Sequence, residues 1–449
     1  MAHPSLSVGL NTVWVVLTAS MIFFMEGGFA LLEAGFVRQK NQVSIIMKVF
    51  ADLIFGALVY YLLGFGVMFG KDWNGIIGTS GFALTGALTS LPTTIPHPAF
   101  WLFHTAFAVA AVSIVSGAVA ERMNFKAYIL YIIVMVAVIY PISGHWVWGA
   151  NGWLARLGME DFAGSAVIHA MAGFACIAAA SLVGPRRGKY DEHGNAVSFA
   201  PSNLPLAAIG TFVLWFGWFG FNAGSTLNAQ DSAIGTIAMN TLLASVAGGA
   251  SALLYGMFRT DKADVGATIN GVLAGLVAIT AGCAFVAPWA AILIGGVAGM
   301  LMIWATGWVE KARIDDPVGA IAVHGVNGVF GTLMVGVLAI RGGLVTTGSW
   351  HLLAVQGLGV AAVCAWGFAA TWGALKVIGR FVPLRVSAAD EETGLDISTH
   401  GTDIPHLEPG FLLSQMPVRE RRRLLHLIEG MASQIPPTAT THMTSDLHE

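Results

Sequence analysis

Two aspartate–histidine pairs recur in this chain at one spacing. Asp161 begins the segment DFAGSAVIHAMAG and Asp316 begins DPVGAIAVHGVNG, and His169 and His324 lie eight residues after their aspartates. A glycine lies four residues after each histidine, and the second pair follows the first by 155 residues. The two segments are therefore predicted to be equivalent elements of an internal repeat.

The aspartates and the histidines are expected to lie at different depths in a membrane, because each aspartate begins a long apolar run that contains its histidine. Eight residues of helix rise about 12 Å, so an aspartate near the membrane surface leaves its histidine near the bilayer centre. An ionisable group at that depth normally faces a cavity or a partner. We therefore expect His169 and His324 to share one functional site, and Asp161 and Asp316 to cap the starts of their helices.

Other interpretations of the histidines stay open at this point. A single histidine in an apolar run is more often a core residue with satisfied hydrogen bonds. Metal binding is a weaker interpretation, because two imidazoles lack the third and fourth ligands of a typical zinc centre. Haem ligation or another redox function has no support elsewhere in the sequence. We predict no metal ion and no cofactor.

The composition indicates a membrane protein. Of 449 residues, 56% are hydrophobic and 10% are charged, and the mean hydropathy is +0.72. Ordinary soluble domains carry about 25% charged residues, so the composition argues against a soluble enzyme and a disordered chain. The net charge of −3 provides no basic surface for nucleic acid, so no nucleic-acid partner is expected. The apolar composition indicates the lipid bilayer as the surroundings of the chain.

Eleven charge-poor runs can each hold a transmembrane helix of about 20 residues. They lie at residues 8–36, 44–69, 99–120, 127–155, 162–185, 204–225, 232–258, two within 265–309 that are separated near Pro288, 317–340 and 342–375. We interpret the first run as a retained helix, although its removal as a signal peptide is the alternative. The predicted fold class is an all-α polytopic membrane protein with eleven transmembrane helices.

The repeat unit is predicted to contain five helices, because Asp161 begins the fifth run and Asp316 the tenth. Repeat A then covers about residues 8–185, repeat B about 204–340, and an eleventh helix at about 349–378 lies outside both. An odd number of helices per unit inverts the second copy, which is typical of transporters whose site lies at the midplane.

The positive charges predict the orientation and separate a tail from the membrane domain. Alternate loops carry fifteen Lys and Arg residues on one side and three on the other. The first side is therefore expected to be cytoplasmic, with the N-terminus outside and the C-terminus inside. Residues 1–385 form the predicted membrane domain, and residues 386–449 a cytoplasmic regulatory tail. The segment RERRRLLHLIEGMASQ (419–434) is predicted to form a short helix, either on a surface or docked to a partner.

The two repeated segments and three others resemble the ammonium transporter family (Amt/Mep/Rh), and more closely its Amt branch. EGGFALLEAGFVRQKN (26–41), FHTAFAVAAVSIVSGAVAER (103–122) and GTFVLWFGWFGFNAGS (210–225) resemble its first, third and sixth helices. The resemblance covers nearly all of residues 8–402. It implies a homotrimer with one pore in each subunit, nitrogen uptake without enzymatic activity, and a location in the cell membrane, expected to be a bacterial or archaeal inner membrane.

The resemblance also implies functions for an outer group of residues. Phe103, Trp148 and Ser225 resemble the site that recruits ammonium or methylammonium, with Phe107 beside them. Asp161 resembles the aspartate below that site, which stabilises the incoming cation. An aromatic cage with one hydroxyl offers cation–π attraction and a directed acceptor, although ordinary helix packing would also place such residues in a membrane helix.

A second group of residues is implied to form the conducting path. Phe107 and Phe221 resemble a stacked aromatic gate, and His169 and His324 resemble the twin histidines of the pore, with Trp218 in its wall. A hydrophobic pore makes a bare ion costly. The resemblance therefore implies that NH₄⁺ releases its proton and that NH₃ passes, with or without that proton.

Two positions depart from the family pattern. His104 stands where the family usually carries Gln; it is either a vestibule group that contacts its neighbours or a titratable group that tunes entry. GLDISTHG (394–401) resembles the family's regulatory motif, but the usual continuation is replaced by TDIPHLEPG and a longer tail. The family implies a signal protein of the PII type as a partner. The altered continuation of the tail weakens this expectation relative to that of transport.

Three alternatives to transport follow from the same residues. A sensor would bind ammonium at the pore mouth and signal through the tail, yet it would pass no flux. A membrane redox enzyme or metal carrier would use the histidines as ligands. A channel for CO₂, as proposed for the Rh branch, is a lesser variant.

Overall fold

The computed structural model describes residues 5–86, 88, 91–92, 94–402 and 427. Within this part of the chain, ten helices are long and apolar enough to cross a membrane, and one further apolar helix is shorter. In chain order they are α1 Leu6–Phe36, α2 Gln39–Phe69, α3 His97–Ala118, α4 Phe125–Leu157, α5 Ser165–Val183, α6 Leu204–Gly224, α7 Ile234–Thr260, the shorter α8 Val265–Ile279, α9 Pro288–Lys311, α10 Ile321–Leu338 and α11 His351–Ile378.

The prediction of a polytopic all-α membrane protein with about eleven apolar helices is confirmed. The apolar run at residues 265–309 is divided as expected: α8 ends at Ile279, and α9 begins with Pro288 at its first position, where a missing N–H costs no helical hydrogen bond. A two-stranded antiparallel hairpin of β1 Asp72–Trp73 and β2 Ile77–Gly78 follows α2. The orientation of the bundle stays a prediction.

Helices that occupy equivalent positions in the predicted repeat pack against each other. The first helices, α1 and α6, share an extensive interface, and the starts of α5 and α10 are in contact. Glycines allow the close approach of α1 and α6, since a Cβ at Gly28, Gly35 or Gly210 would overlap the backbone of the facing helix. Small residues at such interfaces are typical of membrane helices, whose backbones then pack closely.

Helix α3, which carries several of the predicted site residues, belongs to a network of buried polar contacts that also involves α1, α2 and α4. Ser113 Oγ lies 2.8 Å from Glu26 Oε2 on α1 and 3.1 Å from Asp52 Oδ2 on α2. The Tyr128 hydroxyl on α4 donates to Asp52 Oδ1 at 2.8 Å. These groups are buried, and buried polar groups require such partners. The network therefore fixes the position of α3 within the bundle.

A buried ionic network joins the loop after α3, the loop after α5 and the loop before α10. Arg186 donates two hydrogen bonds to the carboxylate of Asp315, at 2.8 and 2.9 Å, and one to Glu121 at 2.6 Å. Burial opposes ionisation of Asp315. However, the hydrogen bonds from Arg186 and the charges of Arg122 and Arg186 outweigh burial and lower the pKa of Asp315 to about 2. Asp315 directly precedes Asp316, so the network holds the start of the second repeated segment.

Asp315→Asn is expected to destabilise the fold at neutral pH by about 3–5 kcal/mol, because it removes the charge that faces a buried guanidinium. The pKa of Asp315 is lower in the folded chain than its ordinary value of 3.8. The stabilisation is therefore present above that value and is lost as the pH falls towards 2. Thermal unfolding of the purified protein at neutral pH and at about pH 3 checks this, and the two chains should differ less in acid.

The control for this variant is Asp261→Asn, at an exposed residue after α7 that makes no ion pair among the residues described. Its unfolding temperature should match that of the wild type at both pH values. An equal loss of stability in the two variants would contradict the effect ascribed to the Arg186–Asp315 pair.

The start of the predicted tail packs against the membrane helices. Two short helices, α12 Ala388–Thr393 and α13 Leu395–His400, follow α11. The carboxylate of Asp396 accepts hydrogen bonds from the N–H groups of Val43 and Ser44 at the start of α2, at 3.1 and 2.8 Å. The compact unit extends to Gly401, so residues 386–401 belong to it. A domain boundary at residue 386 stays a prediction, and the helix proposed at 419–434 lies outside the described residues apart from Leu427.

Candidate functional site

His169 lies on a π-helical turn, Ser165–Ala170, at the start of α5. The preceding Gly164 has φ of +117°, a conformation that side chains with a Cβ rarely adopt. The carboxylate of Asp161 accepts hydrogen bonds from the N–H groups of Gly164, Ala166 and Val167, each at 2.9 Å. Asp161 therefore satisfies the free donors of this turn, and residues 161–164 are a capped loop rather than a continuation of the helix.

His324 lies on a matching π-helical turn, Ile321–Val326, at the start of α10. Asp316 accepts hydrogen bonds from Gly319 N–H at 3.1 Å and Ile321 N–H at 2.7 Å, and Gly319 has φ of +83°. The two π-helical turns were missed by sequence reasoning, which assumed regular helix from each aspartate. A signal was present, since both segments contain a glycine three residues after the aspartate. π-Helical turns are rare and frequent at functional sites.

The structure brings the two histidines together. Their Nδ1 atoms lie 3.2 Å apart, and the rings stack with centroids 5.2 Å apart at 26°. One Nδ1 must donate and the other must accept, so the two neutral rings are opposite tautomers. One Nε2 is then a donor and the other an acceptor, and the buried Nε2 of His169 has no hydrogen-bond partner among the described residues. We call His169 and His324 the histidine pair.

The glycines four residues after each histidine explain how the two turns approach so closely. A Cβ on Gly173 would overlap the backbone of Gly325, and a Cβ on Gly328 would overlap the backbone of Ser165 and Ala170. Each glycine thus provides the space that the opposite π-helical turn occupies. The spacing recognised in the sequence is a packing requirement of the histidine pair.

A column of aromatic rings leads to the histidine pair. The rings of Phe107 and Phe221 are 4.3 Å apart between centroids, and both residues are fully buried. His169 stacks against Phe221 at 5.6 Å and against Trp218 at 5.3 Å. The indole N–H of Trp218 donates to Thr280 at 2.9 Å. Phe107 and Phe221 close the column, which would have to open for a molecule to reach His169.

A cavity of about 410 Å³ lies on the far side of Phe107 and Phe221 from the histidine pair. We call it the aromatic cavity; its lining residues include Phe69, Phe100, Phe103, His104, Phe107, Trp148, Phe162 and Ser225. The Ser225 hydroxyl donates its hydrogen to the carbonyl of Phe221 at 2.8 Å, so its oxygen lone pairs are available to a ligand. The cavity therefore combines π faces with a directed acceptor and can bind a small cation.

Asp161 does not line the aromatic cavity. It contacts the cavity wall through its carbonyl oxygen, which accepts a hydrogen bond from Trp148 Nε1 at 2.8 Å. The described hydrogen bonds of its carboxylate all come from backbone N–H groups. Asp316 lines a separate cavity of about 30 Å³, roughly the space of one water, with Lys189 and Glu310.

The described residues thus define a helical membrane protein with a closed aromatic–histidine column at its centre. A model of the ammonium transporter family matches residues 13–403. The chain belongs to this family.

Individual relatives and solved structures are similar to this chain over most of its length. Ammonium transporter Amt2 of Archaeoglobus fulgidus is 44% identical over 89% of this chain and 88% of its own length. Ammonium transporter 1 member 3 of Solanum lycopersicum is 36% identical over 89% and 94%. A structure named Sensor Amt Protein superposes with a TM-score of 0.84 at 40% identity, covering 88% of this chain and 98% of that one. Mep2 of Candida albicans gives 0.79 at 29% identity, covering 85% and 87%.

Proposed function

We propose that this protein recruits NH₄⁺ in the aromatic cavity and conducts NH₃, with or without the proton, past the histidine pair. The observation that carries the proposal is the arrangement of one aromatic cavity without a Lys, Arg, Asp or Glu in its lining, one aromatic closure and one buried imidazole pair. Ammonium transport itself follows from membership of the family.

The aromatic cavity is suited to a cation that can donate hydrogen bonds. Phe103 and Phe107 lie 4.7 Å apart between centroids, and Trp148 lies 6.0 Å from Phe107. Their π faces attract a cation without a charged partner, and Ser225 accepts one of its hydrogens. K⁺ has a similar size but cannot donate a hydrogen bond, so the hydroxyl favours ammonium.

The column beyond the cavity favours a neutral molecule. Phe107, Phe221, Trp218 and the histidine pair are all buried, and they include no formally charged side chain when the imidazoles are neutral. A cation would lose its hydration there at a cost of several kcal/mol. NH₃ can accept a hydrogen bond from one imidazole and donate one to the other, so the pair replaces the water that the molecule leaves behind.

Assembly and regulation form a further part of the proposal. We expect a homotrimer in a bacterial or archaeal inner membrane, oriented with the C-terminus inside. Residues 386–401 would then face the cytoplasm. In this segment Asp396 contacts α2, and Glu391 contacts Arg187 and Arg385. A PII-type signal protein that bound near these contacts would lie at the cytoplasmic ends of the membrane helices.

Trp148→Leu is expected to raise the KM for ammonium about tenfold and to change the maximal rate less, because a desolvated cation–π contact contributes about 1–2 kcal/mol. Uptake of ammonium or methylammonium by proteoliposomes that contain the purified protein measures both quantities. Trp146→Leu is the matched control, since this neighbouring tryptophan lies outside the cavity and donates to Ile76. Equal KM values in the two variants would contradict cation binding in the cavity.

A sensor is the second candidate, favoured by the superposition on the structure named Sensor Amt Protein. The same proteoliposomes separate the two functions. A transporter gives saturable uptake above that of empty liposomes, whereas a sensor binds ammonium and gives none.

A further inference from the structure

His104 lies inside a cage of aromatic rings at one side of the aromatic cavity. It is on α3 next to Phe103 and is 6% exposed. The ring centroids around it are those of Phe100 at 4.4 Å, Phe69 at 4.5 Å, Phe103 at 5.7 Å, Phe107 at 5.9 Å and Trp148 at 6.0 Å. Three of these rings, Phe103, Phe107 and Trp148, are the ones that the proposed function assigns to the cation.

The imidazole of His104 makes no hydrogen bond with the residues that the structure describes. Its Nδ1 is buried and has no hydrogen-bond partner among the described residues, and no hydrogen bond of Nε2 is found there either. A neutral imidazole has one N–H and one lone pair, and leaving either unpaired in an apolar environment costs free energy. A buried polar group without a partner beside a cavity points to a ligand that fills the cavity.

No other titratable group among the described residues faces His104. The remaining residues that line the cavity, which come from α2, α3, α4 and the connecting segments, are apolar except for Ser225. His145 on α4 is paired with the carbonyl of Met68 at 2.7 Å and with Asp72 at 2.9 Å. The carboxylate of Asp161 accepts hydrogen bonds from backbone N–H groups of the residues that follow it. The charge of His104 is thus set by the cavity and its contents.

We propose that His104 is a ligand of the cation in the aromatic cavity, and that protons compete with ammonium through this ring. The proposal rests on the proposed function of the cavity. The neutral imidazole accepts one hydrogen of NH₄⁺, which adds a second directed acceptor to Ser225. Once protonated, the ring has no acceptor and carries a positive charge beside the same π faces, so it occupies the cage in place of the substrate.

This competition has a defined kinetic form. Acidification on the cavity side raises the KM for ammonium, because the protonated cavity must lose a proton before the cation binds. The maximal rate at saturating ammonium stays the same, because saturating substrate displaces the proton. A change of the histidine pair would instead alter the maximal rate, so the two sources of pH dependence can be separated.

His104→Gln keeps an acceptor but cannot be protonated in this range, and His104→Leu removes the acceptor. We expect the KM of the wild type to rise about tenfold per pH unit below the pKa of the ring, following proton competition for one site. The KM of His104→Gln should be nearly independent of pH, and that of His104→Leu should be raised about tenfold at every pH through the loss of one hydrogen bond to a charged group. His97→Gln, an exposed position on the same helix, should behave as the wild type.

Ammonium chloride uptake by proteoliposomes over a series of pH values on the cavity side gives KM and maximal rate for the four chains. A pH-dependent KM that persists in His104→Gln would overturn the proposal. If none of the chains transports ammonium, the proposed transport fails, and calorimetric titration of the purified protein with ammonium chloride still tests His104. Affinity that falls with acidification in the wild type but not in His104→Gln would support the ligand, and equal pH dependence in both would reject it.

Discussion

Asp161→Ala is expected to abolish ammonium uptake, with a loss of at least a hundredfold in kcat/KM. The carboxylate accepts three backbone hydrogen bonds at the start of the turn that carries His169. Hydrogen bonds to a charged group contribute about 1.5–3 kcal/mol each, so their joint loss releases the π-helical turn and displaces the imidazole. Uptake of methylammonium in a transport-deficient host, together with the unfolding temperature of the purified protein, measures both effects.

The matched control for Asp161 is Asp264→Ala. Asp264 caps α8 from an exposed position, and its carboxylate accepts a single hydrogen bond, from Ala267 N–H at 2.9 Å. Loss of an ordinary helix cap costs about 1 kcal/mol, and uptake should remain close to that of the wild type. Full uptake by Asp161→Ala, with the protein present in the membrane at normal amounts, would refute the function that we assign to this carboxylate.

His169→Ala and His324→Ala are each expected to reduce uptake by more than a hundredfold. The two rings share one hydrogen between their Nδ1 atoms, so removal of either leaves the other without its partner in a buried environment. Because the pair acts as one unit, the double variant should lose hardly more than either single variant. Uptake and current recording on proteoliposomes under an ammonium gradient test this.

Trp218→Phe is the control for the histidine pair. It keeps a ring beside His169 and loses the hydrogen bond to Thr280, so a loss of a few-fold is expected. Additive losses in the double histidine variant would show that the two rings act independently. Wild-type uptake in either single variant would show that conduction does not depend on the histidine pair.

The helices and the meeting of the two histidines could be predicted because each corresponds to a pattern that is visible in the sequence itself. Long apolar runs form helices where backbone groups have no other partner, and the repeated Asp–His spacing relates two segments across the two halves of the chain. Asp161 and Asp316 also lie at the starts of their segments, as the spacing indicated, with carboxylates that accept from backbone N–H groups.

Other features depend on contacts between distant segments and could not be derived from one sequence. The π-helical turns form where Gly164 and Gly319 turn the chain and where Gly173 and Gly328 admit the opposite backbone. The packing of Asp396 on α2 joins residues more than 350 positions apart. The environment of His104 is likewise created by rings from α2, α3 and α4, so a vestibule group and a tuning group could not be distinguished from its position alone.

The single hydrogen between the Nδ1 atoms of His169 and His324 gives the histidine pair a direction, with an acceptor Nε2 on one ring and a donor Nε2 on the other. When the hydrogen resides on His169, the Nε2 of His169 presents a lone pair and the Nε2 of His324 presents an N–H. Donor and acceptor exchange places only if the hydrogen moves to His324 Nδ1 and a second proton passes from His324 Nε2 to His169 Nε2, and a hydrogen-bonding molecule between the Nε2 atoms could carry that second proton. The two rings lie on matching π-helical turns, so their immediate surroundings distinguish the two arrangements. The centre of this protein thus has two arrangements that differ by two coupled proton transfers, one between the Nδ1 atoms and one between the Nε2 atoms, without movement of a helix.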